Sequence, residues 1–224
     1  MEELPPRPQT PPGPPPESNS VREAKFNYAT VCSSNINRSM ESHLCFVNAH
    51  LPCTSYGTGS QVRLPGRTPL EPKIFKFGTP YEQMYDSLAR EDPNFFTMNG
   101  IIPLCKRGAA VKQSPTRWQD TPTSVLSSHD VVLAFEERIY DAVVEDLQGR
   151  EPTERFAPMV VVCLDTKDNP TEATKMGRRS LELAYMLESI EGGIENGVDE
   201  VVEAFGEKMG KVTDTKVVYQ IIYL

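Results

Sequence analysis

Apolar and polar positions recur along this chain with two periods, and the period switches repeatedly. Phe26-Asn27-Tyr28-Ala29-Thr30-Val31 alternates bulky and polar side chains, the two-residue period of a short strand. Met40, Leu44 and Val47 then fall at i, i+4 and i+7, which predicts a helix with those three on its buried face. Residues 54–59 predict a second strand ending in glycines, and residues 62–66 a loop. Thr79-Pro80-Tyr81-Glu82 predicts a helix start, with a threonine cap, proline at the first helical position and glutamate three after the cap. Tyr81, Met84, Tyr85 and Leu88 form its apolar stripe. Residues 92–122 carry Asn99-Gly100 and several prolines and predict irregular chain with a short helix or two.

The second half repeats the alternation more strongly. Residues 130–135 and 159–163 are short apolar runs of the kind found in fully buried strands. Between them, Ile139, Val143 and Leu147 share one helix face. Asn169-Pro170-Thr171-Glu172 opens a long helix expected to reach about Ile190, stopped by Gly192-Gly193. Val198, Val201, Val202, Phe205 and Met209 line a last helix, and residues 216–222 a final strand. Strands separated by helices predict an α/β fold: an open, mostly parallel sheet with helices on both faces.

Residues 1–22 stand apart. The runs Pro5-Pro6-Arg7-Pro8 and Pro11-Pro12-Gly13-Pro14-Pro15-Pro16 bury nothing and read as a disordered, polyproline-like tail, leaving 23–224 as a single domain. No apolar run is long enough to span a bilayer, and the N-terminus has no secretory h-region, so no membrane role is expected. Five cysteines without framework spacing suit free thiols in a reducing compartment. The net charge of −8 is uneven: residues 21–120 carry 12 bases and 8 acids, residues 121–224 carry 10 bases and 20 acids. The first of these halves suits an anionic substrate, but is too weakly basic for direct nucleic-acid binding.

That cationic half holds the stretch of clearest chemistry, Val31-Cys32-Ser33-Ser34-Asn35-Ile36-Asn37-Arg38-Ser39, on a predicted strand-to-helix turn. Successive amides at a helix N-terminus form a nest for a phosphate-sized anion, and the same field favours a thiolate at Cys32. Arg38 is planar and can grip two phosphate oxygens. Ser39 can hydrogen-bond the sulfur as it leaves. Asn35 tolerates the left-handed backbone of a tight loop, and Ser33 and Ser34 let backbone and phosphate approach.

A proton donor for the leaving oxygen is expected from residues 164–170, which follow a strand and so lie on the same sheet edge. Asp168, next to the Asn169 cap, points over the helix start and is preferred. Asp165, nearer the strand end and expected to be more enclosed, stays as helper or alternative. No metal or cofactor is needed. His43, Cys45, His50 and Cys53 loosely resemble zinc spacing, but 43 and 45 fall on different faces of the predicted helix.

The pattern Cys-x5-Arg-Ser, early in the fold and with Asn35 and Ile36 in place, resembles the cysteine-dependent phosphatases of low-molecular-weight type. A longer set of motifs is similar to the Ssu-type phosphatase of the RNA polymerase II C-terminal repeat. These are Tyr56-Gly57-Thr58-Gly59, Leu64-Pro65-Gly66, Tyr81-x-Gln83-Met84-Tyr85, Glu136-Glu137-Arg138-x-Tyr140-Asp141 and Asp165-x-x-Asp168-Asn169. The resemblance implies a nuclear enzyme that removes phosphate from serine five of the heptad Tyr-Ser-Pro-Thr-Ser-Pro-Ser, preferring a cis Ser-Pro bond. It also implies work in pre-mRNA 3′-end processing on a symplekin-type scaffold. It carries nucleophile, phosphate grip and acid onto Cys32, Arg38 and Asp168, and a peptide groove onto Leu64, Pro65 and Met84. The chain departs from the pattern at Ile36, where relatives often have a polar residue, and in its proline-rich tail. Rival readings are an arsenate reductase of the same fold, with Cys45, Cys53, Cys105 and Cys163 as extra thiols, and a non-enzymatic scaffold component.

Overall fold

The computed structural model describes residues 23–210 and 217–224, so the expected tail at 1–22 and the first residue of the expected last strand lie outside it. Strand β1 (Tyr28–Cys32) is buried throughout and leads into helix α1 (Arg38–Asn48). Next come β2 (Cys53–Gly57), β3 (Val62–Leu64) and β4 (Lys73–Phe75). Helices α2 (Tyr81–Glu91), α3 (Pro93–Met98), α4 (Ile101–Val111) and the short α5 (Thr123–Leu126) follow. The chain then alternates β5 (Val131–Ala134), α6 (Glu137–Gln148), β6 (Pro158–Cys163), α7 (Pro170–Leu187), α8 (Val198–Gly210) and β7 (Val218–Tyr223).

The main sheet has the order β2-β1-β5-β6-β7. β1 pairs in parallel with β2 and β5, and β5 with β6, so the carboxyl ends of four strands meet at one edge. The near-continuous Val131–Ala134 and Pro158–Cys163 runs follow from burial on both faces. Phe46, Leu183, Leu187, Val202 and Phe205 cover one face, and Ile139, Val143, Leu147, Trp118 and Leu126 the other. α1 and α7 meet closely at Gly177, where a Cβ would stand 3.1 Å from Cys45 Sγ. A third apolar cluster joins β3, β4 and α2 to α4, and Ile36 and Met40 of the first turn belong to it.

Several expectations are corrected. The buried stripe of α1 runs through Met40, His43 and Phe46, whereas Val47 is 45% exposed and Leu44 half-buried. The stripe is rotated because polar residues are buried there with partners: Ser55 Oγ lies 2.9 Å from His43 Nδ1, and Thr30 Oγ1 donates to Ser39 O. Residues 62–64 are not loop but a strand, paired antiparallel with Lys73–Phe75. Thr79 does not cap α2; Pro80 takes the cap position, and Gln113 O accepts from Tyr81 N. The stretch 92–122 is more helical than its prolines suggest. Asp92 caps α3 by accepting from Phe95 N, and Pro103 sits in the first turn of α4, where its missing N–H costs nothing. α7 ends at Leu187, before the glycines. The main sheet is mostly parallel as expected, with β7 alone running antiparallel, against β6.

Candidate active site

The turn between β1 and α1 is held from outside by its carbonyls. Cys32 O accepts from Thr58 N at 3.0 Å and Ser33 O from Gly59 N at 2.9 Å. Asn35 O accepts from the Tyr81 hydroxyl at 2.6 Å. Arg107 of α4 donates to both Ile36 O and Asn37 O, at 2.6 and 2.8 Å, and pairs with Glu41 at 2.5 Å. In a planar trans peptide the N–H points opposite the carbonyl, so outward carbonyls turn the amides of Ser33, Ser34, Ile36, Asn37 and Arg38 inward. The turn thus presents a set of inward amides, the geometry an anion nest requires. Asn35 has φ of 54°, the left-handed conformation its side chain tolerates. Gly57 allows the neighbouring strand to approach: a Cβ there would lie 2.6 Å from Ser33 O.

Cys32 closes β1 at the floor of this nest and is buried. Its Sγ lies 3.0 Å from Ser39 Oγ, which also accepts from Asn35 Nδ2 at 3.0 Å. Arg38 is 3% exposed and donates from one terminal nitrogen to Phe135 O and Thr166 O, both at 2.9 Å. Its other terminal nitrogen pairs with Glu136 at 2.9 Å and with Asp168 Oδ2 at 3.4 Å. Its Nε is buried with no partner among the described residues. Burial opposes charge on the guanidinium, but the neighbouring Cys32, Asp168 and Glu136 outweigh it and raise its pKa. Glu136 is desolvated too, and Arg38 and Arg138 nonetheless hold its carboxyl below its ordinary value.

The two aspartates are separated by the fold. Asp168 reaches the turn: its Oδ1 accepts from Asn37 Nδ2 at 2.9 Å while Oδ2 faces Arg38. Asp165 is exposed rather than enclosed, so that expectation is corrected, and it is Asp168 whose contacts with Asn37 and Arg38 place it at the turn. Asn169 caps α7 as expected, accepting from Glu172 N. Leu64 and Pro65 line a cavity of about 460 Å³ together with Arg63, Arg67 and Asp168. Met84 does not line it; the side chain is fully buried in the cluster under α2. Ser34 joins the turn to the hairpin through Arg63 N, which donates to Ser34 Oγ at 3.1 Å.

Sequence reasoning misses Glu136, Tyr81, Arg107 and Lys112. Glu136 follows β5 and can be found by the rule that points to Asp168. The other three reach the turn from the α2–α4 region, and nothing in local pattern marks them. His43 faces Ser55 and Cys45 faces Gly177, and among the described residues no group of three or more His, Cys, Asp or Glu is placed to hold a metal ion.

A buried cysteine, a turn of inward-facing amides and a buried arginine meet at the parallel edge of an α/β sheet, the fold and arrangement of a cysteine-dependent phosphatase. Residues 26–224 match the family model described as Ssu72-like protein, and the chain belongs to that family. It is 42% identical over 180 residues to the RNA polymerase II C-terminal domain phosphatase SSU72 of Danio rerio, covering 80% of this chain and 90% of that protein. To the protein of the same name from Homo sapiens it is 41% identical over 183 residues, covering 82% and 91%. The solved serine phosphatase of the RNA polymerase II C-terminal domain from Drosophila melanogaster superposes with a TM-score of 0.82 at 32% identity, over 89% of this chain and all of that one. A second Drosophila melanogaster structure, with symplekin and a cis peptidomimetic of the C-terminal domain phosphorylated at serine five, superposes with a TM-score of 0.81 at 30% identity, over 90% of this chain and 100% of that one.

Proposed function

We propose that this protein is a nuclear serine phosphatase that removes phosphate from serine five of the RNA polymerase II C-terminal repeat through a phosphocysteine on Cys32. The observation that carries the reading is the meeting of Asn37, Arg38 and Asp168 over the turn that ends β1. A phosphate monoester seated in the nest places phosphorus over Cys32 Sγ. Arg38 Nε, buried and without a partner among the described residues, can donate to one phosphate oxygen. The terminal nitrogen now shared between Glu136 and Asp168 takes a second oxygen and releases Asp168.

Chemistry then runs in two steps. Sulfur attacks phosphorus as the phosphorus–oxygen bond to the seryl oxygen breaks, and Asp168 gives that oxygen its proton. The inward amides and Arg38 stabilise the charge of the transition state. In the second step Asp168, now a base, takes a proton from water as the water attacks phosphorus. The sulfur leaves as a thiolate, stabilised by Ser39 Oγ.

The relatives support the substrate and the setting: proteins so named act on the polymerase repeat, and one related structure holds symplekin and a cis peptide. The cavity lined by Leu64 and Pro65 opens beside Asp168, where the residues after the phosphoserine would lie. The setting that follows is pre-mRNA 3′-end processing on a symplekin-type scaffold. Phosphate release from a heptad peptide phosphorylated at serine five tests the reading. Wild type is expected to turn over and Cys32→Ser to be inactive. Turnover surviving in Cys32→Ser sinks the mechanism, and an inactive wild type points instead to a scaffold component.

A further inference from the structure

We propose that Lys112 is a positioning residue for this reaction: its ammonium fixes the amide of Asn35, which aims the Ser39 hydroxyl at the sulfur of Cys32. The inference rests on the reading of Cys32 as nucleophile. Lys112 caps the C-terminal end of α4 and sends its side chain under the turn. Its Nζ donates to Asn35 Oδ1 at 3.0 Å, Ser55 O at 2.7 Å and Thr116 Oγ1 at 3.0 Å. Three acceptors match the three N–H bonds of an ammonium.

The consequence is directional. Asn35 Oδ1 receives a second donor, Thr116 N, at 3.0 Å. An amide atom facing two obligate donors must be the oxygen, so the amide nitrogen faces Ser39. That nitrogen donates to Ser39 Oγ at 3.0 Å. With a lone pair of Ser39 taken from this side, the single hydroxyl proton is left for the sulfur 3.0 Å away. A sulfur that accepts a hydrogen bond is stabilised as thiolate, both before attack and as the leaving group of the second step. Without the ammonium, Asn35 is held by Thr116 N alone and the hydroxyl loses its fixed direction.

Other groups face Lys112 from every side. They are His43 on α1, Cys32 on β1, and Cys53 and Tyr56 on β2, with the Tyr56 ring 5.9 Å from Nζ. Burial pushes the ammonium down to about 8, while the thiol groups of Cys53 and Cys32 act to raise it. Desolvation, and then Lys112 itself, keep His43 neutral. Lys112 is therefore a buried cation beneath the turn, separate from Arg38 and Arg107, and one of its three bonds reaches the turn at Asn35.

The test uses Lys112→Met, Asn35→Ala and the double variant. Two readouts need no knowledge of the physiological substrate: the rate of Cys32 alkylation by iodoacetamide at neutral pH, and kcat and KM on p-nitrophenyl phosphate. Lys112→Met is expected to slow alkylation about tenfold, the effect of losing one hydrogen bond to a charged group, and to lower kcat more than it raises KM. In the Asn35→Ala background the same substitution should change either rate by less than about twofold, because the two residues act as one unit. Lys112→Gln keeps one donor for Asn35 and should fall between wild type and Lys112→Met, with the thermal midpoint reporting folding. A full Lys112 effect without Asn35, or wild-type alkylation in a folded Lys112→Met, overturns the proposal. Failure of the phosphatase reading shows separately, as turnover that survives Cys32→Ser.

Discussion

Asn37 Nδ2 donates to Asp168 Oδ1 across 2.9 Å, joining two loops that lie 131 residues apart in the chain. The bond holds the carboxyl over the turn, where a leaving oxygen would be protonated. Asp168→Asn should therefore lower kcat on the phosphoserine peptide about 10²–10⁴-fold, the usual worth of general acid catalysis. On p-nitrophenyl phosphate, whose leaving group needs no proton, the loss should be far smaller. Asp165→Asn should stay close to wild type on both substrates. Equal losses at the two aspartates would remove Asp168 from the acid role.

Gly57 sets how closely β2 approaches the turn. A Cβ there would stand 2.6 Å from Ser33 O and 2.9 Å from the Phe77 ring. The backbone atom cannot move without shifting the nest. Gly57→Ala should cost about 1–3 kcal/mol in urea unfolding and weaken inhibition by inorganic phosphate. A variant that loses stability but binds phosphate as well as wild type would show that the strain is absorbed elsewhere.

The sheet and its order of elements are legible in the sequence because each strand carries its own apolar run. The buried face of α6 is predicted to the residue, since Ile139, Val143 and Leu147 have no polar competitors. α1 departs from its predicted face because Ser39, Ser42 and His43 are buried polar groups, two of them with partners outside the helix, which hydrophobic periodicity cannot register. The turn is legible for the same local reason as the strands: Cys32, Asn35, Arg38 and Ser39 are neighbours in sequence. Its supports are not. Arg107 and Lys112 reach it from a helix about 70 residues downstream, and only tertiary packing brings them there.

Two buried histidines make stability depend on pH. His43 lies against Ser55, and His129 between Thr54 and Tyr56; burial lowers each from 6.5 to about 4, with Lys112 adding to the effect at His43. Unfolded, both rings take up protons as pH drops through 6.5, while the folded protein refuses them until about 4. Their contribution is complete above the unfolded value and is lost as pH falls through that window, roughly 3 kcal/mol each. Urea unfolding at several pH values checks this. His129→Gln should flatten the slope between the two pKa values; an unchanged slope would exclude His129 as a contributor.

A cis requirement, if this chain shares it, would make turnover depend on isomerisation. The cis form is a minority of unfolded Ser-Pro bonds, roughly 10–30%. At high enzyme concentration, phosphate release should show a fast phase for the cis fraction and a slow phase that a prolyl isomerase accelerates. A single phase indifferent to added isomerase would argue against cis selectivity.

Ser34 belongs at once to the turn and to the hairpin, since its hydroxyl accepts from Arg63 N beside the cavity. Filling the cavity and filling the nest therefore draw on one shared contact. Thermodynamic linkage makes such a relationship mutual: whatever a peptide does to the affinity for phosphate, phosphate does to the affinity for the peptide. An oxyanion such as vanadate should then change the affinity for an unphosphorylated heptad peptide in wild type, and Ser34→Ala should uncouple the two. On this account the enzyme senses the sequence beyond the phosphoserine through the geometry of its anion site, as well as through the walls of a groove.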